Sequence, residues 1–224
     1  MKLPRPAAQP SRDCPLCPRL AGFREVQRQV HPEWFNAPVP SFGDDDAELL
    51  IVGLAPGLRG ANRTGRPFTG DYAGELLYAT LQKFGFAQGA YAARCDDDLA
   101  LRRARITNAV RCVPPQNKPQ PGEIAACRRF LIAEIAGMPR LRAILALGAI
   151  AHQSVLAAFD LSRGRFPFAH GRLHVLPDGM LLAGSYHCSR LNTNTGKLTV
   201  VMFEEVLRAV AHYLDAATGT HHAV

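Results

Sequence analysis

The sequence predicts an α/β protein, a three-layer α/β/α sandwich around a short, mostly parallel sheet. Three observations lead there. Short apolar runs recur at Leu49–Gly53, Arg105–Ala109, Arg142–Leu147, Arg172–Leu176 and Leu181–Ser185. Segments with helical spacing of apolar residues lie between or after most of them, and that alternation implies a parallel sheet covered on both faces. The 224 residues, 47% of them hydrophobic, suffice for one substantial core, and no repeat of about 20 to 50 residues points to a solenoid.

Taken in order, residues 1–13 read as a flexible, proline-rich lead. The opening Met1-Lys2-Leu3-Pro4-Arg5-Pro6 lacks the apolar centre of a signal peptide. No apolar run approaches the roughly 20 residues that span a bilayer, so a cytoplasmic protein with no membrane partner is expected. Cys14–Val30 predicts a short helix, followed by a loop-rich stretch to Ala47 with Pro32, Pro38 and Pro40. The first strand, Leu49–Gly53, runs into a glycine-rich turn and then a helix over Tyr72–Phe84, with Leu76, Leu77, Leu81 and Phe84 on one side. Pro121 and Glu123 start a helix through Ala136 that carries Cys127, Phe130, Leu131 and Ile135. Further helices are expected over Gly148–Phe159 and Leu198–Ala216. Residues 217–224 read as a flexible tail whose paired His221 and His222 need no metal to explain them.

The chemistry concentrates in a few places. Net charge is +7, with an excess of arginine, which favours a phosphate-bearing partner. From Gly53 to Asp71 the chain holds five glycines, three arginines (Arg59, Arg63, Arg66) and one acid, a composition suited to an anionic ligand at a strand-to-helix turn. The spacing is neither a Walker loop nor GxGxxG, so no nucleotide cofactor follows from it. In open α/β sheets ligands sit beyond the carboxyl ends of strands. That rule brings the glycine-rich turn, Asn108 at the end of the second strand and His187 after the last into one pocket. The six cysteines do not suit a disulfide framework in a cytoplasmic chain. Cys14 and Cys17 form a C-x2-C pair, whereas fourteen residues separate Cys112 from Cys127. By spacing alone the four are open to zinc, to a [4Fe–4S] cluster, or to unrelated buried thiols.

From Cys14 to about Leu207 the chain resembles the family 5 (type B) uracil-DNA glycosylases. Gly53-Leu54-Ala55-Pro56-Gly57, with Asn62-Arg63-Thr64-Gly65-Arg66-Pro67-Phe68-Thr69-Gly70-Asp71, is similar to the family's first motif. Ser185-Tyr186-His187 with Asn192-Thr193-Asn194-Thr195-Gly196-Lys197-Leu198 is similar to its last. Cys14, Cys17, Cys112 and Cys127 match its iron–sulfur ligands, so the resemblance implies a [4Fe–4S] cluster. Leu54 separates the chain from the related family 4, which usually carries an acid in that motif. Two departures stand out: Cys188 where many relatives have proline, and Leu191 where a polar residue is common.

The resemblance implies a monofunctional glycosylase acting as a monomer on uracil-containing DNA, within one domain over residues 14–216 that includes the cluster-bound N-terminal segment. Hypoxanthine and xanthine are further candidate bases. Such an enzyme extrudes the base from the duplex at a cost of a few kcal/mol. Gly53, Leu54, Ala55, Phe68 and Asn108 would hold the base, Phe68 by stacking and Asn108 by reading the pyrimidine edge. Breaking the glycosidic bond builds positive charge on the sugar and negative charge on the base. Asp71 would then face the sugar or orient water, and His187 would donate to the departing base. Arg59, Arg63, Arg66, Ser189, Arg190 and Lys197 are candidate DNA contacts, with Leu191 as a wedge. Plainer roles stand beside these: Asp71 as a helix cap, Phe68 as a core anchor, Asn108 as a loop cap, and Leu191 packed inward. The competing functions are a non-catalytic iron–sulfur nucleic-acid-binding protein and a nucleotide hydrolase.

Overall fold

A computed structural model describes residues 9–216. The expected tail at 217–224, and residues 1–8 of the expected lead, lie outside the described residues. Residues 9–13 depart from a free lead: the Gln9 side chain accepts from Arg111 and from the Ser41 amide, and Asp13 pairs with Arg28 at 2.8 Å.

Helix α1 spans Pro18–Val30 and starts four residues later than the sequence suggests, because Pro18 occupies the first turn where a missing N–H costs nothing. Strand β1, Leu49–Gly53, is followed by α2, Ala61–Thr64, and α3, Tyr72–Lys83. Next come two-residue strands β2, Ala87–Gln88, and β3, Ala100–Leu101, paired antiparallel with each other. Strand β4 covers Ala104–Asn108, and a single 3-10 turn occupies Pro115–Asn117. Helix α4, Pro121–Gly137, is fixed at its start by a reciprocal cap in which Glu123 accepts from the Gln120 amide at 2.7 Å. The chain ends with β5 (Ala143–Leu147), α5 (Ala149–Ala158), β6 (Leu173–Val175), β7 (Leu181–Ser185), α6 (Arg190–Asn194) and α7 (Val200–Ala216). Four short elements, α2, β2, β3 and α6, escape a sequence reading because each is too short to show a period.

The main sheet has the order β4-β1-β5-β7-β6, parallel throughout except for β6, an antiparallel edge of three residues. Side chains of β1 alternate between two cores, as a period of two requires. Leu49 and Ile51 pack with Leu77 and Leu81 of α3 and Phe203, Leu207 and Val210 of α7. Leu50 and Val52 pack with Leu131 of α4 and Val155 and Leu156 of α5. Apolar layers on both faces make the three-layer sandwich that the alternating strands and helices predict. Among the described residues no helix is long and apolar enough to cross a membrane.

Candidate active site

Parallel register puts Gly53 of β1 opposite Asn108 of β4, and Leu147 of β5 opposite Ser185 of β7. The carboxyl ends of the three elements meant to meet, β1, β4 and β7, therefore rise at one edge of the sheet. Beyond them opens a pocket of about 500 Å3 lined by Leu54, Ala55, Phe68, Asp71, Asn108, His187, Ser189 and Arg190 among others. That volume lies within the range of small-molecule sites. Asn117 and Tyr72 also face it. Sequence reasoning missed both; Asn117 sits on the loop after Cys112 with a left-handed backbone (φ 57°), and no motif flags it.

Gly53 is buried beneath the pocket rather than on its wall. A Cβ there would overlap the Asn108 carboxamide and come within 2.7 Å of the Phe68 ring, so glycine lets these two side chains converge. Phe68 itself has φ 52°, and its ring lies 5.8 Å from that of His187 at an interplanar angle of 28°. It anchors the core and walls the pocket at once. The turn that carries it is tied down: Tyr78 donates to the Pro67 carbonyl at 2.6 Å and Tyr91 to the Phe68 carbonyl at 3.2 Å.

Arg66 departs from the expected phosphate contact. It is 5% exposed and forks onto Asp97 at 2.6 and 2.8 Å, while Nε donates to Thr69 at 2.8 Å. Its guanidinium also lies against the rings of Phe42, Tyr78 and Tyr91. With its donors engaged and water excluded, it holds the 66–70 turn and has no free face for DNA. Arg59 and Arg63 are exposed, with Arg63 Nε donating to the Arg59 carbonyl at 3.0 Å. Arg190 lies over Tyr72 at 5.3 Å and Lys197 over Tyr186 at 4.9 Å, both exposed.

Asp71 stands at the N-cap position of α3 but makes no side-chain cap hydrogen bond. Its Oδ1 is buried without a partner. Burial raises its pKa, the nearby amides of Gly74 and Ala73 pull it back, and Glu75 adds repulsion. A Cβ on Gly60 would run into the other carboxylate oxygen, so the glycine-rich loop is shaped to wrap this acid. His187 is pushed down to about 4 by burial and is therefore neutral at pH 7. Its backbone carbonyl accepts from the Asn192 carboxamide at 2.8 Å, and Ser189 caps α6 beside it. The expected loop over 189–197 thus contains a helical turn, and Leu191 projects from it 72% exposed; it does not pack inward. Cys188 is fully buried in the core, which gives the departure from proline a packing role.

The four predicted cysteine ligands line one small cavity with Leu20, Val110 and Phe130, between α1, the loop after β4, and α4. None of the four is in a disulfide. Burial raises Cys17 to about 11 and Cys112 to about 12, and Cys127 also upward. They converge without closing into a ligand shell: among the described residues no group of three or more His, Cys, Asp or Glu is arranged to hold a metal ion. The cavity abuts the pocket, since Ala55 packs against its lining and the Val110 amide donates to the Leu54 carbonyl at 2.9 Å.

Residues 40–211 match the uracil DNA glycosylase superfamily. The chain is 48% identical over 200 residues to the type-5 uracil-DNA glycosylase of Thermus thermophilus, covering 87% of this chain and 90% of that protein. It is 43% identical to the type-5 enzyme of Mycobacterium leprae, covering 87% and 89%. It is 39% identical to that of Pyrobaculum aerophilum, covering 89% and 88%. With similarity of this extent running through every element that builds the pocket, the chain belongs to the uracil DNA glycosylase superfamily, in its type-5 group.

Proposed function

We propose that this protein hydrolyses the N-glycosidic bond of uracil flipped out of DNA, the first step of base excision repair. The observation that carries the reading is the buried, unpartnered Asp71 oxygen in a pocket shared with Asn108, His187 and Phe68. A desolvated carboxylate lacks a positive partner in the free protein, and the developing oxocarbenium-like sugar supplies one, so the attraction grows as the bond breaks. His187, neutral, gives an N–H hydrogen bond to the anionic base without transferring a proton. Asn108 offers both a donor and an acceptor to the pyrimidine edge, and Phe68 offers a ring face. Exposed Arg59, Arg63 and Lys197, with Arg190 on the pocket lining, suit phosphates, Ser189 suits a nearby hydroxyl or amide contact, and exposed Leu191 suits the space vacated in the duplex.

The four cysteines fit a metal–thiolate group by donor chemistry: soft sulfur ligands on one cavity, with the Arg111 amide 3.4 Å from the Cys127 sulfur. A [4Fe–4S] cluster held there would staple the N-terminal segment to the loop after β4 and to α4. A brown protein absorbing near 400 nm, with iron and acid-labile sulfide, supports the cluster; a colourless zinc protein refutes it.

The test of function is a duplex with one uracil, incubated at enzyme excess and treated with alkali. Strand cleavage is expected after alkali alone, since no lysine occupies the matched catalytic positions for lyase chemistry. An intact strand would sink the reading. Leu54 and Ala55 give the pocket an apolar wall with no charge to repel a larger deaminated base, and duplexes carrying hypoxanthine or xanthine measure that range.

A further inference from the structure

Four arginines are buried among the described residues: Arg24, Arg66, Arg105 and Arg111. Three meet a buried carboxylate. Arg66 has Asp97, while Arg105 and Arg111 share Glu134. Arg24, 3% exposed, has none. Its guanidinium donates to the Cys14 carbonyl at 3.3 and 3.4 Å and reaches to 3.8 Å from the Cys112 sulfur, and its Nε has no hydrogen-bond partner. The acids near it do not neutralise it. Glu25 is 3.9 Å from Nε, is half exposed, and already pairs with Arg28 at 2.8 Å. Asp13 is exposed and pairs with Arg28 at the same distance.

A guanidinium does not lose its proton in a protein, and a buried charge with no partner is strongly destabilising. The compensating charge has to come from what Arg24 faces, and that is the cysteine cavity. Four neutral thiols supply none. Four thiolates on zinc or on a [4Fe–4S] core leave the group net anionic in either case.

We propose that Arg24 is the built-in counter-ion of an anionic metal–thiolate group held by Cys14, Cys17, Cys112 and Cys127, a positioning residue that tunes how firmly and in which charge state the group is held. This rests on the reading of the four cysteines as ligands and goes beyond it by assigning the charge balance to one side chain. The direction of tuning follows: a fixed positive charge beside a ligand sulfur favours the more negative state, so its removal makes reduction harder.

The test compares wild type with Arg24→Lys and Arg24→Met in the metal-loaded protein, measuring iron and sulfide (or zinc) content, the rate of metal loss to a chelator, and the midpoint potential. Arg24→Lys should stay near wild type. Arg24→Met should lose metal roughly 10- to 100-fold more readily, the range for supporting residues around metal ligands, and its potential should move negative. In metal-free protein the order of thermal stability should reverse, because there Arg24→Met removes an uncompensated charge. Should Arg24→Met not accumulate in loaded form, the same reversal is read by adding it to Cys112→Ser, where the melting temperature should rise. Equal metal retention and potential in all three, or no rise in the Cys112→Ser background, would overturn the proposal. A metal-free wild type would end both this inference and the ligand reading, whereas loaded wild type with an indifferent Arg24→Met ends this inference alone.

Discussion

Replacing Asp97 with asparagine removes the counter-charge from Arg66 inside a nearly dry ion pair. Both side chains are at most 5% exposed, and the Asp97 carboxylate also accepts the Ala92 and Leu99 amides at 2.9 and 3.3 Å. The Arg66 guanidinium, helped by these amides, holds Asp97 at about 2 against an ordinary 3.8. At about 1.4 kcal/mol per pH unit, that depression corresponds to about 2.5 kcal/mol of stability at neutral pH. Leaving Arg66 buried and unpaired adds to the loss, and removal of one partner of a buried pair costs about 3–5 kcal/mol in general. A loss of about 3 kcal/mol in urea unfolding at pH 7 is therefore expected. Because the folded carboxyl is depressed, its contribution is complete above pH 4 and is lost as pH falls from about 4 toward 2. The wild-type-to-variant gap should accordingly be the same at pH 7 and pH 5. The 66–70 turn carries Phe68 and leads into Asp71, so uracil release should slow as well. A stability loss under about 0.5 kcal/mol, the scatter of ordinary surface changes, would show that the pair does not hold this turn.

Asp71→Asn should slow single-turnover uracil release about 10^3-fold while leaving binding to uracil DNA nearly intact; a unit charge about 4 Å from the sugar at an effective dielectric of about 20 gives about 4 kcal/mol. Equal losses in binding and in release would remove Asp71 from the chemistry. With His187 near 4, the release rate should show no His187 titration between pH 8 and 5.5, and this histidine should disfavour folding increasingly as pH drops from about 6.5 toward 4. A rate transition near pH 6.5 that vanishes in His187→Asn would contradict the neutral assignment. Arg63→Gln should weaken duplex binding and reduce the salt slope by about one, whereas Arg66→Gln should act on folding; a shared salt effect would restore Arg66 to the DNA surface. Leu191→Ala should change stability by less than about 0.5 kcal/mol, since the side chain is exposed, yet reduce uracil release from duplex more than from single strands. Equal effects on both substrates would dismiss the wedge.

Much of this protein was determined by its sequence alone. The strands Leu49–Gly53 and Leu181–Ser185 appear where their apolar runs lie, and Tyr72–Lys83 follows its helical spacing to within a residue. Because ligands gather where parallel strands end, the order of these elements was enough to bring the glycine-rich turn, Asn108 and His187 together. Other features rested on partners that no local pattern announces. Arg59, Arg63 and Arg66 are alike in sequence, and only the loop that delivers Asp97, thirty-one residues on, buries the third and leaves the others at the surface. The outward face of Leu191 needed the turn of α6, and Asn117 reaches the pocket through two consecutive left-handed residues, Gln116 and Asn117 itself. Arg24 looks like any helical arginine until its neighbours are known, and its lack of a buried acid is a property of the packed interior. Periodicity and strand ends are local and survive in one dimension. Charge compensation depends on which side chains share a space closed to water, and that is set only when the layers pack.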